Sequence, residues 1–243
     1  MEKKRERASG EAGFSLIELM IAMGITVLVM GIAASLIASS VNIRAREDRR
    51  SDALADVRRA LATMTREIGN AGYGLPDTLA GNGIVAGDSN STQVRVLTNP
   101  DKLSRDAAAT PASPTSPDED VLYQWVNDAV NNQSYILRYD VNSAIGGTTV
   151  LANRVDSFVI RYYDRRVTYQ PGTCQQGIDT ATVRNSAGLL QAEVAPAQAT
   201  YVVIALCVQL PPVGTPGSPG YQPPSRTQLI SDVQLRNAST TNY

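Results

Sequence analysis

The sequence predicts an α+β protein in which a long N-terminal helix packs on an antiparallel β-sheet domain. Three observations predict this class. An apolar run over residues 14–41 passes into a polar stretch with no proline before Pro76. Apolar residues recur at helical spacing in that polar stretch. The chain after Pro76 consists of short segments that are rich in β-branched and aromatic residues and are bounded by Gly, Pro, Asn or Asp. We therefore expect one helix followed by a β-rich domain.

The composition limits the chemistry that the chain can perform. With 22 basic and 23 acidic residues the net charge is −1, which provides no long-range attraction to nucleic acid. The sequence has no histidine, which excludes histidine-dependent nucleophilic catalysis and histidine zinc sites. Beyond the first residues the only lysine is Lys102, in a polar stretch that offers its amine no apolar surroundings. We expect a protein that is not an enzyme, holds no cofactor or metal, and does not contact nucleic acid directly.

The N-terminus carries the strongest signal for function. Residues 1–13 are polar and contain four basic residues, whereas 14–41 are long and apolar enough for a membrane-spanning helix. An ordinary secretory signal peptide is one alternative, but it would have a shorter apolar core and a better cleavage site than residues 38–40. An ordinary signal anchor is the other alternative. Arginines also follow the span, so the distribution of positive charge does not fix its orientation.

Glu18 is the one charged residue within the apolar run. A carboxylate inside a membrane costs about 2.5–3.5 kcal/mol on insertion scales and usually marks a function. Glu18 lies one helical turn from Phe14. If the chain is cut before Phe14, the new α-amino group of one subunit can neutralise Glu18 of its neighbour, and this pairing would set the stagger between packed helices.

Residues 13–19, with the sequence GFSLIEL, follow a short basic leader and precede the apolar run. This segment resembles the class III signal of type IV prepilins and pseudopilins. The resemblance implies cleavage between Gly13 and Phe14 by a prepilin peptidase, N-methylation of Phe14, and assembly through Glu18. It also implies a pilin fold with four segments: a leader (1–13), a transmembrane and filament-core part of the helix (14–43), an amphipathic part of the same helix (44–70) and a globular head (71–243).

The amphipathic part of the helix has a single apolar stripe. Its residues recur at spacings of three and four and are followed by a glycine-rich stop at Gly69, Gly72 and Gly74. We expect this stripe to be the seam between the helix and its own sheet. Its members are Leu54, Val57, Leu61, Met64 and Ile68.

The β-rich region contains seven candidate strands and one cysteine pair. In residues 201–210 the even-numbered positions from Val202 to Leu210 are apolar, which suits the face that meets the helix, and Cys207 falls on the opposite face. In an exported chain, Cys174 and Cys207 are expected to form a disulfide that holds residues 172–188 over that second face; the alternative is two free buried thiols. The candidate strands are 92–98, 121–126, 134–140, 148–151, 155–164, 200–210 and 227–236.

Two segments of low complexity interrupt the head. Residues 106–120 and 211–225 are rich in proline and small residues, and we expect exposed loops with an extended, poorly packed backbone. The acidic run from Asp118 to Asp120 lacks the ligand spacing of a calcium loop, so we interpret it as a solvated turn.

Three stretches make the resemblance more specific: 66–74, 151–164 and 227–237 resemble segments of PilW-type minor pilins. J-type minor pseudopilins of type II secretion share much of the pattern, and the Gly72-Tyr73-Gly74 element favours the pilus. The resemblance implies a minor pilin that initiates or caps a type IV pilus and so supports adhesion, twitching motility or DNA uptake. Its partners would be other minor pilins, the major pilin, the prepilin peptidase and methylase, and the inner-membrane assembly platform. It would cross the inner membrane once, with its head outside the cytoplasm, and later occupy the pilus tip. A membrane-anchored binding or adhesion domain is an alternative of another class.

Overall fold

The computed structural model describes residues 14–75, 81–100, 114–131, 133–144, 146–218 and 221–238. The leader, Gly13, Lys102 and most of the predicted loop 106–120 lie outside the described residues. The α+β class is confirmed, because one long helix precedes antiparallel strands. The elements are α1 (Leu16–Gly69), β1 (Gln93–Leu97), β2 (Asp120–Asp128), β3 (Gln133–Asp140), β4 (Thr148–Asn153), β5 (Val155–Tyr163), β6 (Thr168–Pro171), β7 (Ile178–Arg184), β8 (Tyr201–Leu210) and β9 (Ser225–Gln234), with short 3-10 turns at Ala86–Asp88 and Pro196–Gln198.

The chain divides into two compact units. One contains the helix up to Arg46 together with residues 213–222, and the other contains 47–212 and the residues from Pro223 onward. In the first unit, Val213 and Gln222 pair as an isolated antiparallel bridge, and the Tyr221 N–H donates to Ser218 O at 3.1 Å. The expectation of an extended backbone over 211–225 is therefore wrong for this part, although most of its described residues are exposed as expected.

The strands form three antiparallel sheets rather than the single sheet that we expected. The first has the order β1-β2-β3-β4, the second has the order β5-β8-β9, and the third is the β6-β7 hairpin. The chain passes from the first sheet to the second through one residue, Arg154, whose φ of 60° is in the left-handed region. This single turn residue separates β4, which ends at Asn153, from β5, which begins at Val155.

The main core lies between the C-terminal part of the helix and the first two sheets. The predicted stripe is confirmed from Val57 to Ile68, where Val57, Met64 and Ile68 are fully buried. Leu54 is only half-buried, and Ala53 and Ala60 complete the stripe. The even-numbered row of β8 faces the same core, as predicted. Burying such apolar side chains contributes about 1.5–3 kcal/mol each, so this seam is a large part of the stability of the head.

A second, smaller core covers the opposite face of β8. Tyr201 and Val203 of β8 pack there with Ile178 and Val183 of the β6-β7 hairpin. The segment 172–188 thus lies over the second face, as predicted, and Cys174 and Cys207 are joined in a disulfide with a Cα–Cα distance of 5.5 Å. The two strands of this hairpin were not among the predicted strands.

The prediction of a solvated turn at Asp118 to Asp120 is wrong for two of its three residues. Glu119 is 2% exposed and accepts the N–H groups of Thr115 and Ser116 at 2.8 and 2.7 Å. Asp120 is 6% exposed and accepts two hydrogen bonds from Arg95, at 2.8 and 2.7 Å. Buried carboxylates require such partners, and the partner of Asp120 lies on a neighbouring strand.

The turn that ends the helix lies so close to other backbone atoms that its glycine positions have no room for a side chain. Gly72 and Gly74 have φ of 80° and 70°, and a Cβ at Gly74 would lie 2.1 Å from the Asn99 carbonyl oxygen. Gly83 lies against the same turn, and a Cβ there would lie 1.8 Å from the Gly72 nitrogen. Glycine at these positions therefore follows from backbone geometry.

Candidate functional site

The candidate site is the N-terminal part of the helix. An 18-residue window in this helix has a mean hydropathy of 2.4 and no buried residue, so by length and composition it can span a membrane. Between Leu16 and Ala38 the polar side chains are Glu18, Thr26 and Ser35. The hydroxyls of Thr26 and Ser35 donate to the carbonyl oxygens of Ala22 and Ile32, at 2.7 and 2.8 Å. Because these hydroxyl donors are satisfied within the helix, neither needs a partner in an apolar environment.

Glu18 caps its own helix. The backbone N–H of Ser15 donates to Glu18 Oε2 at 3.2 Å, one residue before the first helical position at Leu16. A serine at the N-cap and a glutamate three residues later form the spacing of a capping box, and this S-x-x-E pattern is visible in the sequence. The prediction for Glu18 from the sequence concerns assembly alone and does not include this local role. The cap uses one carboxylate oxygen, and Oε1 has no hydrogen-bond partner among the described residues.

Phe14 lies next to this cap. Its side chain is 88% exposed, and the surface that follows it consists of large apolar residues such as Leu16 and Ile17, which are 76% and 66% exposed. The structure thus brings Phe14 and Glu18 to the same end of the helix, whereas Gly13 lies outside the described residues. An apolar surface of this extent requires lipid or other helices around it.

A partly buried polar network joins the helix to the first sheet. Arg138 Nε and Nη2 donate to the two carboxylate oxygens of Glu67 at 3.1 and 3.2 Å, and Nη2 also donates to Asp118 at 2.6 Å. The Tyr123 hydroxyl donates to Glu67 as well. Burial, reinforced by the negative charge of Glu67, raises the pKa of Tyr123. Burial alone would lower the pKa of Arg138, but its bonds to Glu67 outweigh this effect and raise it.

Among the described residues, one group of three side chains has the spacing of a metal site, and its members are already engaged. Asp156 lies near Cys174 and Cys207, with one ligand atom from each residue within 4.8 Å of the others. The two sulfurs are bonded to each other, so they offer no thiolate, and Asp156 pairs with Arg226 at 3.0 Å. This cluster is therefore a structural link between the hairpin and the second sheet.

The chain thus has an apolar N-terminal helix that can span a membrane and that continues into a head of antiparallel sheets. A family model for the prokaryotic N-terminal methylation motif matches residues 8–34, which include Phe14 and Glu18. Neither the comparison with curated proteins nor the comparison with solved structures gave a significant match. The motif, together with the architecture, supports a type IV pilin-like protein with a class III signal. Such a signal implies processing by a prepilin peptidase and assembly with other pilins.

Proposed function

We propose that this chain is a PilW-type minor pilin that helps to initiate or cap a type IV pilus. In this proposal the leader is removed between Gly13 and Phe14, and Phe14 is N-methylated. The chain is held in the inner membrane by its helix until it enters the filament with other minor pilins and the major pilin. The pilus then serves adhesion, twitching motility or DNA uptake.

The observation that carries the proposal is the position of Glu18. Its carboxylate stands on a helix surface that is otherwise apolar, and one of its oxygens is not used by the cap. Cleavage before Phe14 creates an α-amino group one turn away, at the same end of the helix. In apolar surroundings a carboxylate is stable only with a partner, and the amine of a neighbouring subunit provides both charge and hydrogen bonds.

Processing is tested first, in the native host. The mature protein should begin at a methylated Phe14, as measured by mass spectrometry of the intact chain. A Gly13→Asp variant should remain in the membrane as a precursor, heavier by the mass of residues 1–13. A different mature N-terminus in the wild-type protein would contradict the assignment of the signal.

The role of Glu18 is tested by two substitutions that separate charge from capping. Glu18→Gln keeps a carbonyl oxygen that can accept the Ser15 N–H but removes the charge, whereas Glu18→Ala removes both. We expect both variants to be cleaved normally and both to be lost from sheared filaments. If Glu18→Gln assembles like the wild type and only Glu18→Ala fails, then the cap is the function of Glu18 and the pairing proposal is wrong.

The proposed place at the tip rests on the exposed loops of the head. A major pilin repeats along the whole filament, so an exposed Pro- and Gly-rich segment such as 211–225 in every subunit would crowd the packed neighbouring subunits. At a tip no subunit lies above, and such segments are tolerated. We expect few copies per filament and, on deletion, fewer filaments of normal diameter. Immunogold labelling along the whole shaft would contradict this position.

The same helix would serve a minor pseudopilin of a type II secretion system, and the methylation motif is common to both machines. Deletion separates the two proposals. Loss of surface pili with normal protein secretion supports the pilus, and the reverse result supports the secretion system. A membrane-anchored binding domain that never enters a filament would leave both processes unchanged.

A further inference from the structure

Among the described residues, the first sheet of the head ends in an open edge. β4 is its outermost strand and pairs on one side with β3, and among the described residues no other strand pairs with it. Thr148, Thr149 and Val150 are exposed along this edge. An open edge presents unpaired backbone N–H and C=O groups, which can template the pairing of another strand.

Two other edges of the head, at β1 and β9, are covered or charged. The outer side of β1 is bonded to a neighbouring segment, through Leu97 N–H to Gly83 O at 2.8 Å and Val85 N–H to Arg95 O at 3.0 Å. β9 carries two charged residues, Arg226 and Asp232. In contrast, β4 has the sequence TTVLAN, with no charge, proline or glycine. Proteins commonly block open edges with charge or proline, and β4 has neither of these features.

The outer face of the sheet beside this edge carries exposed apolar side chains. Tyr139, Val141 and Val150 are 39%, 39% and 47% exposed, and Val150 lies opposite Leu137 in the register of the two strands. The residues of the other face, Ile136 and Ala152, are buried in the main core. A strand that docked on this edge would therefore lie beside exposed apolar side chains on the outer face. β4 would present no charged side chain to it.

We propose that the edge of β4 accepts an extended strand from a different pilin subunit. A strand fits better than a helix or lipid because only a strand satisfies the row of backbone donors and acceptors. Its outward side chains would be apolar, to match Val150, and it would lack charge, to match β4. This inference rests on the proposed function, which supplies different subunits as neighbours. The register shift between Ile136 and Leu137 leaves Thr148–Val150 as the regular part, so the docked strand is short.

The first experiment is photo-crosslinking in cells that express the full chain at its native level. A benzophenone amino acid is placed at Val150, with Thr180 as the matched control, because Thr180 is an exposed strand residue on the β6-β7 hairpin. We expect a crosslink from position 150 to a second pilin, identified by mass spectrometry, and none to that pilin from position 180. A crosslink from position 150 only to a second copy, only within the chain to residues 101–113, or to no protein at all would overturn the proposal.

The second experiment uses a charge that should block pairing. Val150→Lys should reduce recovery of the subunit with its partner at least tenfold, whereas Thr180→Lys should leave recovery unchanged. The Cys174–Cys207 linkage, checked by a non-reducing peptide map, and the fluorescence of Trp125 on β2 of the first sheet show that each variant is folded. If Val150→Lys is cleaved and recovered in filaments like the wild type while Glu18→Gln is not, strand docking is wrong and the proposed pilin function stands.

Discussion

Arg138 on β3 binds both carboxylate oxygens of Glu67 on the helix, at 3.1 and 3.2 Å, with the two side chains 12% and 19% exposed. This bidentate pair crosses the seam between the helix and the first sheet. A buried pair of this kind contributes little net energy relative to an apolar pair, but removing one partner is costly because the other charge stays buried. The pair therefore favours one alignment of the helix on the sheet, in which Glu67 and Arg138 meet.

We expect Arg138→Met to lower the free energy of unfolding by about 3 kcal/mol, because Glu67 would stay buried without its main cation. Unfolding can be followed in detergent by the fluorescence of Trp125, the only tryptophan, whose indole N–H donates to Val155 O at 2.9 Å. Adding Glu67→Gln should restore part of the loss. The control is Arg59→Ala, whose exposed pair with Asp56 at 3.9 Å should change stability by less than about 0.5 kcal/mol. Equal losses for Arg138 and Arg59 would contradict this reasoning.

Removing the hydroxyl from each of two buried tyrosines should change the free energy of unfolding in opposite directions. The Tyr163 hydroxyl is buried and has no hydrogen-bond partner among the described residues, so Tyr163→Phe should stabilise the protein by about 1 kcal/mol. The Tyr123 hydroxyl binds Glu67, so Tyr123→Phe should destabilise it by about 2 kcal/mol. Denaturant titrations of the two variants test this, and destabilisation by Tyr163→Phe would show that its hydroxyl has a partner.

Without the disulfide, the β6-β7 hairpin should unfold more readily than the main core. In the chain-entropy model, closing a loop with a sequence separation of 33 contributes about 3–4 kcal/mol. We expect the Cys174→Ala, Cys207→Ala double variant to lose hydrogen-exchange protection over 178–184 while β5 and β8 stay protected through their core face. Similar loss of protection in both regions would mean that the hairpin does not unfold separately.

Stability should fall in alkaline solution. Burial raises the pKa of Tyr163 to about 12, with the negative charge of Glu193 adding to the shift. The pKa values of Tyr123, Tyr162, Tyr169 and Tyr201 are also raised by burial. Because the folded state holds these protons more tightly, their contribution is complete below about pH 10 and is lost as pH rises toward the folded pKa values. For Tyr163 this window is about pH 10 to 12. Absorbance titration in 8 M urea and in buffer should show tyrosinate forming earlier in urea; coincident curves would contradict the shifts.

The features that the sequence predicts well are those with a local period. The apolar stripe on the helix and the alternating row of β8 are both visible in single segments, and both face the main core as expected. The strand boundaries also follow from nearby turn residues. These features could be predicted because each depends on neighbours within a few positions along the chain.

The features that the sequence did not reveal depend on contacts between distant residues. Asp120 is buried, and its partner Arg95 lies on the neighbouring strand β1. β6 is four residues long, ends in Pro171 and becomes a strand by covering the second face of β8 beside the disulfide. The change of sheet at Arg154 has no glycine or proline to mark it. The cap at Glu18 is different, because its S-x-x-E spacing was visible and we interpreted the glutamate only as an intermolecular group.

The close approach of Gly72 and Gly83 also has an evolutionary consequence. A side chain at Gly83 would overlap the backbone nitrogen of Gly72, and Gly72 itself has a φ that side chains rarely adopt. Neither position can therefore drift alone, and a viable change would need the turn and its neighbour to be remodelled together. Descendants of this chain should keep both glycines or neither, so that this corner of the head is inherited as a unit even where the surface around it diverges.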